Sequence, residues 1–413
     1  MLLSLFIRKQ VYNARINFRI LFLKLVSFFI KARIDYVAFI PHGGMYGNGY
    51  DLRNYKSDNV LCLLVYMINR YGNRFKYRIA CDTRQYDSIQ NDIHNRYPNL
   101  DVSCVHFFGP DNFKWGTYKE LLKCRNIFTC EGYPLPFKRP WHKVIFLSYF
   151  KPFKDDYDHI HSMKENYNGL FDICVSPSSI YSYIVAHTFN IPLSKFVTLG
   201  FSRDDMLLDD YQCPQLEDYI KSAVDYEVKK VFLYTPTHRD YERNSTLKRD
   251  ILGFEVDKKR FEDFLYKNGI LLICKMHTQQ NSDVIDDALP KGVIIHSATE
   301  GYGLCELLQR ADCLITDYTS TYFDYLLLDR PVLFDFYDYD KYEKERGFSY
   351  DPLESVLAGD VFSNETSFYE KARKIIDGFD DYKEKRKFVR DMQHKFIDKN
   401  SSRRICDYIF GQN

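Results

Sequence analysis

The chain has no C-x-x-C pair. Its 11 cysteines are an odd number, many of them inside apolar runs such as LCLLVYM and LLICKMH, which fits buried reduced thiols and a cytoplasmic protein better than a disulfide-stapled scaffold. No glycine-rich P-loop or dinucleotide fingerprint is present, so ordinary ATP or NAD chemistry is disfavoured. Long apolar runs are missing too: the longest, Ile20 to Ile30, is eleven residues broken by Lys24, whereas a membrane span needs about 20. No small-residue cleavage site follows the N-terminal apolar residues. Charge of one sign is scarce, since 57 basic against 56 acidic residues leave +1; this excludes a generally basic nucleic-acid binder. No Asp or Glu spacing marks a dedicated metal site, and there is no internal repeat.

What is present is globular and aromatic. The 413 residues suggest two to four domains at roughly 100 to 200 residues each. Short β-rich runs alternate with helical segments, the pattern of an α/β protein. In the first half the predicted strands are DYVAFIP, KYRIACD, VSCVHFF, NIFTC, KVIFLSYF, DICVSP and KFVTLGF; in the second they are KKVFLYTP, ILLICKMH, GVIIHS, DCLITD and PVLFDFY. The charged stretch 209–230 separates the two sets, which predicts two doubly wound domains over residues 35–215 and 216–413. Before the first acid, Asp35, stand seven basic residues. On a helical wheel Arg8, Arg15, Arg19 and Arg33 fall within about 40° of one another, among Leu, Ile and Phe. Residues 1–34 therefore read as a basic amphipathic helix, either packed on the body of the protein or lying on an anionic membrane surface.

In doubly wound domains ligands bind outside the carboxyl ends of the strands. In the second half those ends carry Thr235-Pro236-Thr237, Lys275-Met276-His277, Ser297 and Thr316-Asp317-Tyr318-Thr319-Ser320. Thr319, Ser320 and Thr321 fall where a helix should begin, and hydroxyls with free backbone N–H groups there suit a phosphate or diphosphate. A plain helix cap is the alternative reading.

TDYTSTYFDYLLLDRPVLFDF resembles the "ITDYSS-x-x-FD … P-x-x-F" segment of the CDP-glycerol glycerophosphotransferase family, the teichoic-acid primases and polymerases. Further elements agree in order: SPSSIYSYIVAHTFNIP, GFSRDDMLL for G-x-P-R-N-D, YTPTHRD for Y-x-P-T-x-R, and KMH for R/K-x-H. The family is similar in fold to GT-B glycosyltransferases, two Rossmann-like domains facing a cleft.

The resemblance implies transfer of glycerol phosphate or a related polyol phosphate from a CDP-activated donor to a hydroxyl of a lipid-linked surface glycan, with release of CMP. It implies no tightly bound cofactor, leaves divalent metal use open, and expects a peripheral position on the inner face of the cell membrane. Carried over by motif, Arg203 would pair with the donor phosphates and Pro236 and Thr237 would line the nucleotide pocket. Lys275, Met276 and His277 would contact the diphosphate or glycerol phosphate, and Thr319, Ser320 and Asp324 would hold phosphates or ribose. Ser297 joins on its strand-end position. One departure stands out. The family's W-H-G-T-P-L-K carries the histidine expected as general base, but aligning Pro152 and Lys154 with that motif puts Ser148, Tyr149 and Phe150 at Trp, His and Gly. Tyr149 is a poor base at neutral pH. His42, in the glycine-rich segment after the first strand, is the substitute candidate, with His142 and His159 behind it. A GT-B glycosyltransferase using a nucleotide sugar and a catalytically idle relative are the competing readings.

Overall fold

The structure is a computed structural model that describes residues 21–41, 59–80, 87, 90–91, 93–94, 97–108, 115–130, 138–148, 151–155, 167, 169–237, 252–275, 289–296 and 302–411. Residues 21–27 are helical; the rest of the predicted N-terminal helix lies outside the described residues.

Seven strands form the first sheet: β1 (Arg33–Ile40), β2 (Lys76–Ala80), β3 (Val105–Phe108), β4 (Cys124–Thr129), β5 (Lys143–Phe146), β6 (Ile173–Ser176) and β7 (Phe196–Thr198), in the order β3-β2-β1-β4-β5-β6-β7. The second contains β8 (Lys230–Thr235), β9 (Ile270–Cys274), β10 (Val293–Ile295), β11 (Cys313–Thr316), β12 (Val332–Asp335) and β13 (Asp360–Phe362), in the order β10-β9-β8-β11-β12-β13. β1 pairs in parallel with β2 and β4, and β8 with β9 and β11. Each sheet thus reverses its winding direction between its first and fourth strands, the doubly wound Rossmann-like arrangement whose switch point opens a crevice at the carboxyl ends.

The sequence explains why these runs became strands. A parallel sheet covered by helices on both faces needs strands that are apolar nearly throughout, and every residue of ILLIC in β9 and CLIT in β11 is buried. Alternate side chains then feed opposite layers. Val231, Leu233, Leu271, Ile273 and Leu314 join one core of the second sheet, while Phe232, Tyr234, Leu272, Cys274 and Ile315 join the other. The first sheet has its own cluster, including Ala38, Ile40, Leu121 and Ile127, into which Leu23 of the N-terminal helical turn inserts. Among the described residues no cysteine forms a disulfide, and all but Cys62 are buried. Among the described residues no helix is long and apolar enough to cross a membrane.

By compactness the chain divides into residues 1–149 with 167–174, and residues 150–166 with 175–413. The charged stretch 209–230, where the sequence places the domain boundary, contributes Cys213, Leu216 and Ile220, around helix Pro214–Ser222, to a core of the second sheet.

In the second unit the loop after β7 delivers helix Ser202–Leu207. Gly200 adopts φ +85°, and a Cβ there would stand 2.2 Å from Ser401 Oγ. This close approach is held by Asp205, whose carboxylate accepts from the backbone N–H groups of Ser401 and Ser402 at 2.7 Å each, capping helix Ser401–Phe410. Burial, with the neighbouring Asp204 charge adding to it, raises the Asp205 pKa against those hydrogen bonds. Gly200→Ala is expected to lower stability by about 2 kcal/mol or more, combining left-handed strain with the clash. A urea midpoint unchanged from the parent would show that Ser401 yields without cost.

Candidate functional site

At the switch point of the second sheet the ends of β8 and β11 are clasped. The Thr235 hydroxyl donates to Thr316 Oγ1 at 3.2 Å, and the Thr316 hydroxyl donates to the Thr235 carbonyl at 3.1 Å. One step further, the fully buried Asp317 accepts the Thr237 backbone N–H at 2.9 Å and the Thr237 hydroxyl at 2.7 Å. The Tyr318 N–H adds a bond at 2.6 Å. Thr237 is therefore fixed by Asp317 rather than left as a loose pocket hydroxyl, and Pro236 is buried between the two clasped threonines.

Two other expected residues sit at the same edge with polar groups unspent. Lys275 follows β9; its N–H donates to the Tyr234 carbonyl at 2.8 Å, while its half-buried ammonium has no partner among the described residues. Burial lowers its pKa, the signature of a cation short of a counter-ion. Ser320 precedes helix Thr321–Tyr325, and its side chain makes no capping bond. The Thr319 hydroxyl accepts the Thr321 N–H at 3.4 Å. Met276, His277 and Ser297 lie outside the described residues. Beside Ser297, His296 is buried at the end of β10 with its ring 5.0 Å from Tyr302.

Arg203 and Asp324 belong to a buried charge cluster that nothing in the sequence pointed to. Lys151, wholly buried, donates to Asp204 Oδ1 at 3.1 Å and to Asp324 Oδ1. The same Asp324 oxygen accepts Arg203 Nη2 at 3.1 Å. His394 closes the far side: its Nε2 lies 2.7 Å from the Phe323 carbonyl and its Nδ1 3.5 Å from Asp204 Oδ2. Both cations also lie against the Phe201 ring, Lys151 at 5.3 Å and Arg203 at 5.5 Å. Burial alone would raise the Asp204 pKa; the Lys151 ammonium, then His394 and Arg203, hold it well below the usual carboxylate range. Two full cations thus meet two carboxylates, with the His394 ring beside them. The family motifs given above carry Thr where Lys151 stands and Asn where Asp204 stands.

His42, Tyr149 and His159 lie outside the described residues. Ser148, at the turn after β5, holds φ +57° and its carbonyl accepts Asn59 Nδ2 at 2.9 Å. His142 is buried at the amino end of β5, its Nε2 3.5 Å from the Leu122 carbonyl, and burial pushes its pKa down to about 4. It stands at the opposite end of its strand from the carboxyl ends.

This arrangement meets the comparisons with known proteins. Residues 149–411 match the family described as CDP-glycerol:poly(glycerophosphate) glycerophosphotransferase, and the chain belongs to that family. It is similar to the teichoic acid glycerol-phosphate transferase of Staphylococcus aureus, at 28% identity over 58% of this chain and 60% of that protein. The teichoic acid ribitol-phosphate primase of Bacillus spizizenii is 26% identical over 63% of this chain and 64% of its own. The matches thus span less than two thirds of the length of these curated relatives. In fold, the solved wall teichoic acid polymerase TagF overlays 93% of this chain and 90% of its own with a TM-score of 0.68 at 20% identity, in keeping with the expected GT-B-like class.

The Lys151–Asp204 pair is testable by a double-mutant cycle. Lys151→Thr alone leaves two buried carboxylates short of a cation and is expected to cost about 3 to 5 kcal/mol. Lys151→Thr with Asp204→Asn should cost clearly less than the sum of the single changes, with a coupling of about 1 to 3 kcal/mol in urea unfolding. Strict additivity would mean that the two do not act as a pair.

Proposed function

We propose that the chain transfers glycerol phosphate, or a related polyol phosphate, from a CDP-activated donor to a hydroxyl of a lipid-linked surface glycan or teichoic-acid-like acceptor. In this reading residues 216–413 bind the donor and residues 35–215 the acceptor, at the inner face of the cell membrane. The observation that carries it is the Lys275 ammonium, partly desolvated and without a counter-ion among the described residues, at the switch-point edge that also presents Ser320. A diphosphate supplies the missing charge, and family membership supplies the nucleotide.

The acceptor oxygen attacks the β-phosphorus, the bond from that phosphorus to the bridging oxygen breaks, and CMP leaves with the bond's electron pair. Such a transfer needs positioning and charge neutralisation more than covalent chemistry. Lys275, His277 and Ser320 would contact the diphosphate, with Met276 beside them. Arg203 would approach the phosphates, its guanidinium oriented by Asp324. Pro236 and Thr237, set by Asp317, would shape the nucleotide pocket, with Thr319 and Ser297 at its rim. The acceptor proton needs a base, and His42 is proposed ahead of Tyr149 because only imidazole titrates near neutrality unperturbed.

A donor panel tests this. CDP-glycerol or CDP-ribitol should raise the melting temperature, by an amount equivalent to about 2.7 kcal/mol at a hundredfold excess over Kd, and UDP-glucose should not. Ser320→Ala should weaken that shift. With a lipid-linked acceptor, His42→Ala should lower CMP release by about 10² to 10⁴ with donor affinity nearly unchanged, and Tyr149→Phe far less. Equal stabilisation by UDP-glucose would favour a nucleotide-sugar glycosyltransferase, and donor binding without turnover on any acceptor would favour an idle relative.

A further inference from the structure

One side chain of the second unit touches both elements that carry proposed phosphate-contacting groups. His394 follows helix Lys383–Gln393 and is buried. Its backbone is fixed, because the His394 N–H donates to the Arg390 carbonyl at 2.7 Å and the Lys395 N–H to the Pro177 carbonyl at 2.8 Å. The ring then reaches two partners in different elements. Nε2 lies 2.7 Å from the Phe323 carbonyl in helix Thr321–Tyr325, and Nδ1 lies 3.5 Å from Asp204 Oδ2 in helix Ser202–Leu207. A carbonyl oxygen can only accept, so Nε2 carries the hydrogen of the first bond.

The consequences fall on the groups beside these two contacts. Ser320 precedes the helix that holds Phe323, and Asp324 follows Phe323 directly, its Oδ1 accepting Arg203 Nη2 at 3.1 Å. Asp204 is the sequence neighbour of Arg203, and its Oδ1 accepts Lys151 Nζ at 3.1 Å. Tying Phe323 and Asp204 to one imidazole therefore sets the spacing between the helix that carries Arg203 and the helix that Ser320 precedes. Lys151 links the same two helices through Asp204 and Asp324, but an ammonium on a flexible four-carbon stem fixes direction less strictly than a planar ring. A buried group that holds ligand-facing side chains from behind sets their geometry without touching the ligand, and a displacement of about 1 Å in such groups is felt strongly at the reacting centre.

We infer that His394 is a positioning residue of the proposed diphosphate site: by joining Phe323 to Asp204 it sets the separation of the Arg203 guanidinium from the Ser320 hydroxyl, so that both meet one diphosphate. The inference rests on the proposed donor reading and deepens it, adding a residue that acts through Asp204 and Asp324 and makes no contact with the donor itself.

CDP-glycerol and, separately, inorganic pyrophosphate are titrated by calorimetry into the full chain. Two amide variants divide the contacts of the ring: the amide nitrogen of His394→Gln can reach the Phe323 carbonyl as Nε2 does, whereas the shorter His394→Asn stands near the Nδ1 position and loses that carbonyl. His394→Asn should raise the Kd of both ligands about tenfold and His394→Gln about threefold, the scale of one lost buried hydrogen bond and a fraction of it, with the number of binding sites unchanged. Combined with Arg203→Lys, which removes the planar fork, each His394 change should cost at least about threefold less than the product of the separate effects. Wild-type Kd in the folded variants would overturn the inference, as would strict additivity with Arg203→Lys. Fewer binding sites at wild-type Kd would overturn it too, since that is what a merely structural role gives. Should His394→Asn not fold, His394→Gln decides by the same criteria. The donor reading is judged separately: CDP-glycerol binding that ignores His394 leaves that reading standing and removes this inference, and His394-dependent binding of pyrophosphate without CDP-glycerol binding does the reverse. Binding of neither ligand by the wild type removes both.

Discussion

Four charges buried together in the second unit set the terms for everything around them. Lys151, Asp204, Asp324 and Arg203 come from three separated stretches of chain, and none would tolerate burial alone, because an isolated ion loses several kcal/mol of hydration. Their mutual pairing makes the arrangement possible and also strict. Helix Ser202–Leu207 must lie where Arg203 and Asp204 reach their partners, which is why the loop before it needs glycine at 200 and why Asp205 is free to cap the C-terminal helix. Helix Thr321–Tyr325 is placed by Asp324 in the same way, and with it Ser320 at the edge of the proposed donor pocket.

Among the described residues, Lys275 keeps a positive charge without a carboxylate partner at the carboxyl edge of the second sheet. Arg203 and Lys151 are already engaged with Asp204 and Asp324, so in the proposed function a second cation at that edge would share the donor phosphates with Arg203. Lys275, after β9 and beside the strand ends locked by Asp317 and Thr237, is the proposed second cation. In the proposed function the clasp would hold the edge rigid and Lys275 would attract the donor phosphates, a division of labour suited to a reaction governed by positioning.

Much of this fold was legible because parallel strands covered on both faces must be apolar almost throughout, so runs such as FLYT, LLIC and CLIT announce themselves. β13 did not. Asp360-Val361-Phe362 is a three-residue edge strand with only Phe362 buried, too short to show a period. Strand-end reasoning singled out Lys275 and Ser320, because a polar residue directly after an apolar run marks the carboxyl edge. It had no means to find Lys151 or His394. The Lys151–Asp204 pair is 53 residues apart and Lys151–Asp324 is 173, and a lysine between aromatic residues carries no periodic signal. Thr237 was visible as a strand-end hydroxyl, but its bond to Asp317 depends on β8 and β11 being neighbours, which is a property of topology and not of either segment.

The most direct test is a crystal structure of the protein soaked with CDP-glycerol. The donor's diphosphate is expected at the carboxyl edge of the second sheet, within hydrogen-bond distance of Lys275 Nζ and the Ser320 hydroxyl, with the Thr237–Asp317 clasp intact. Donor density against the first sheet, or at the second with Lys275 turned to solvent and the diphosphate held by other groups, would contradict the proposed donor site.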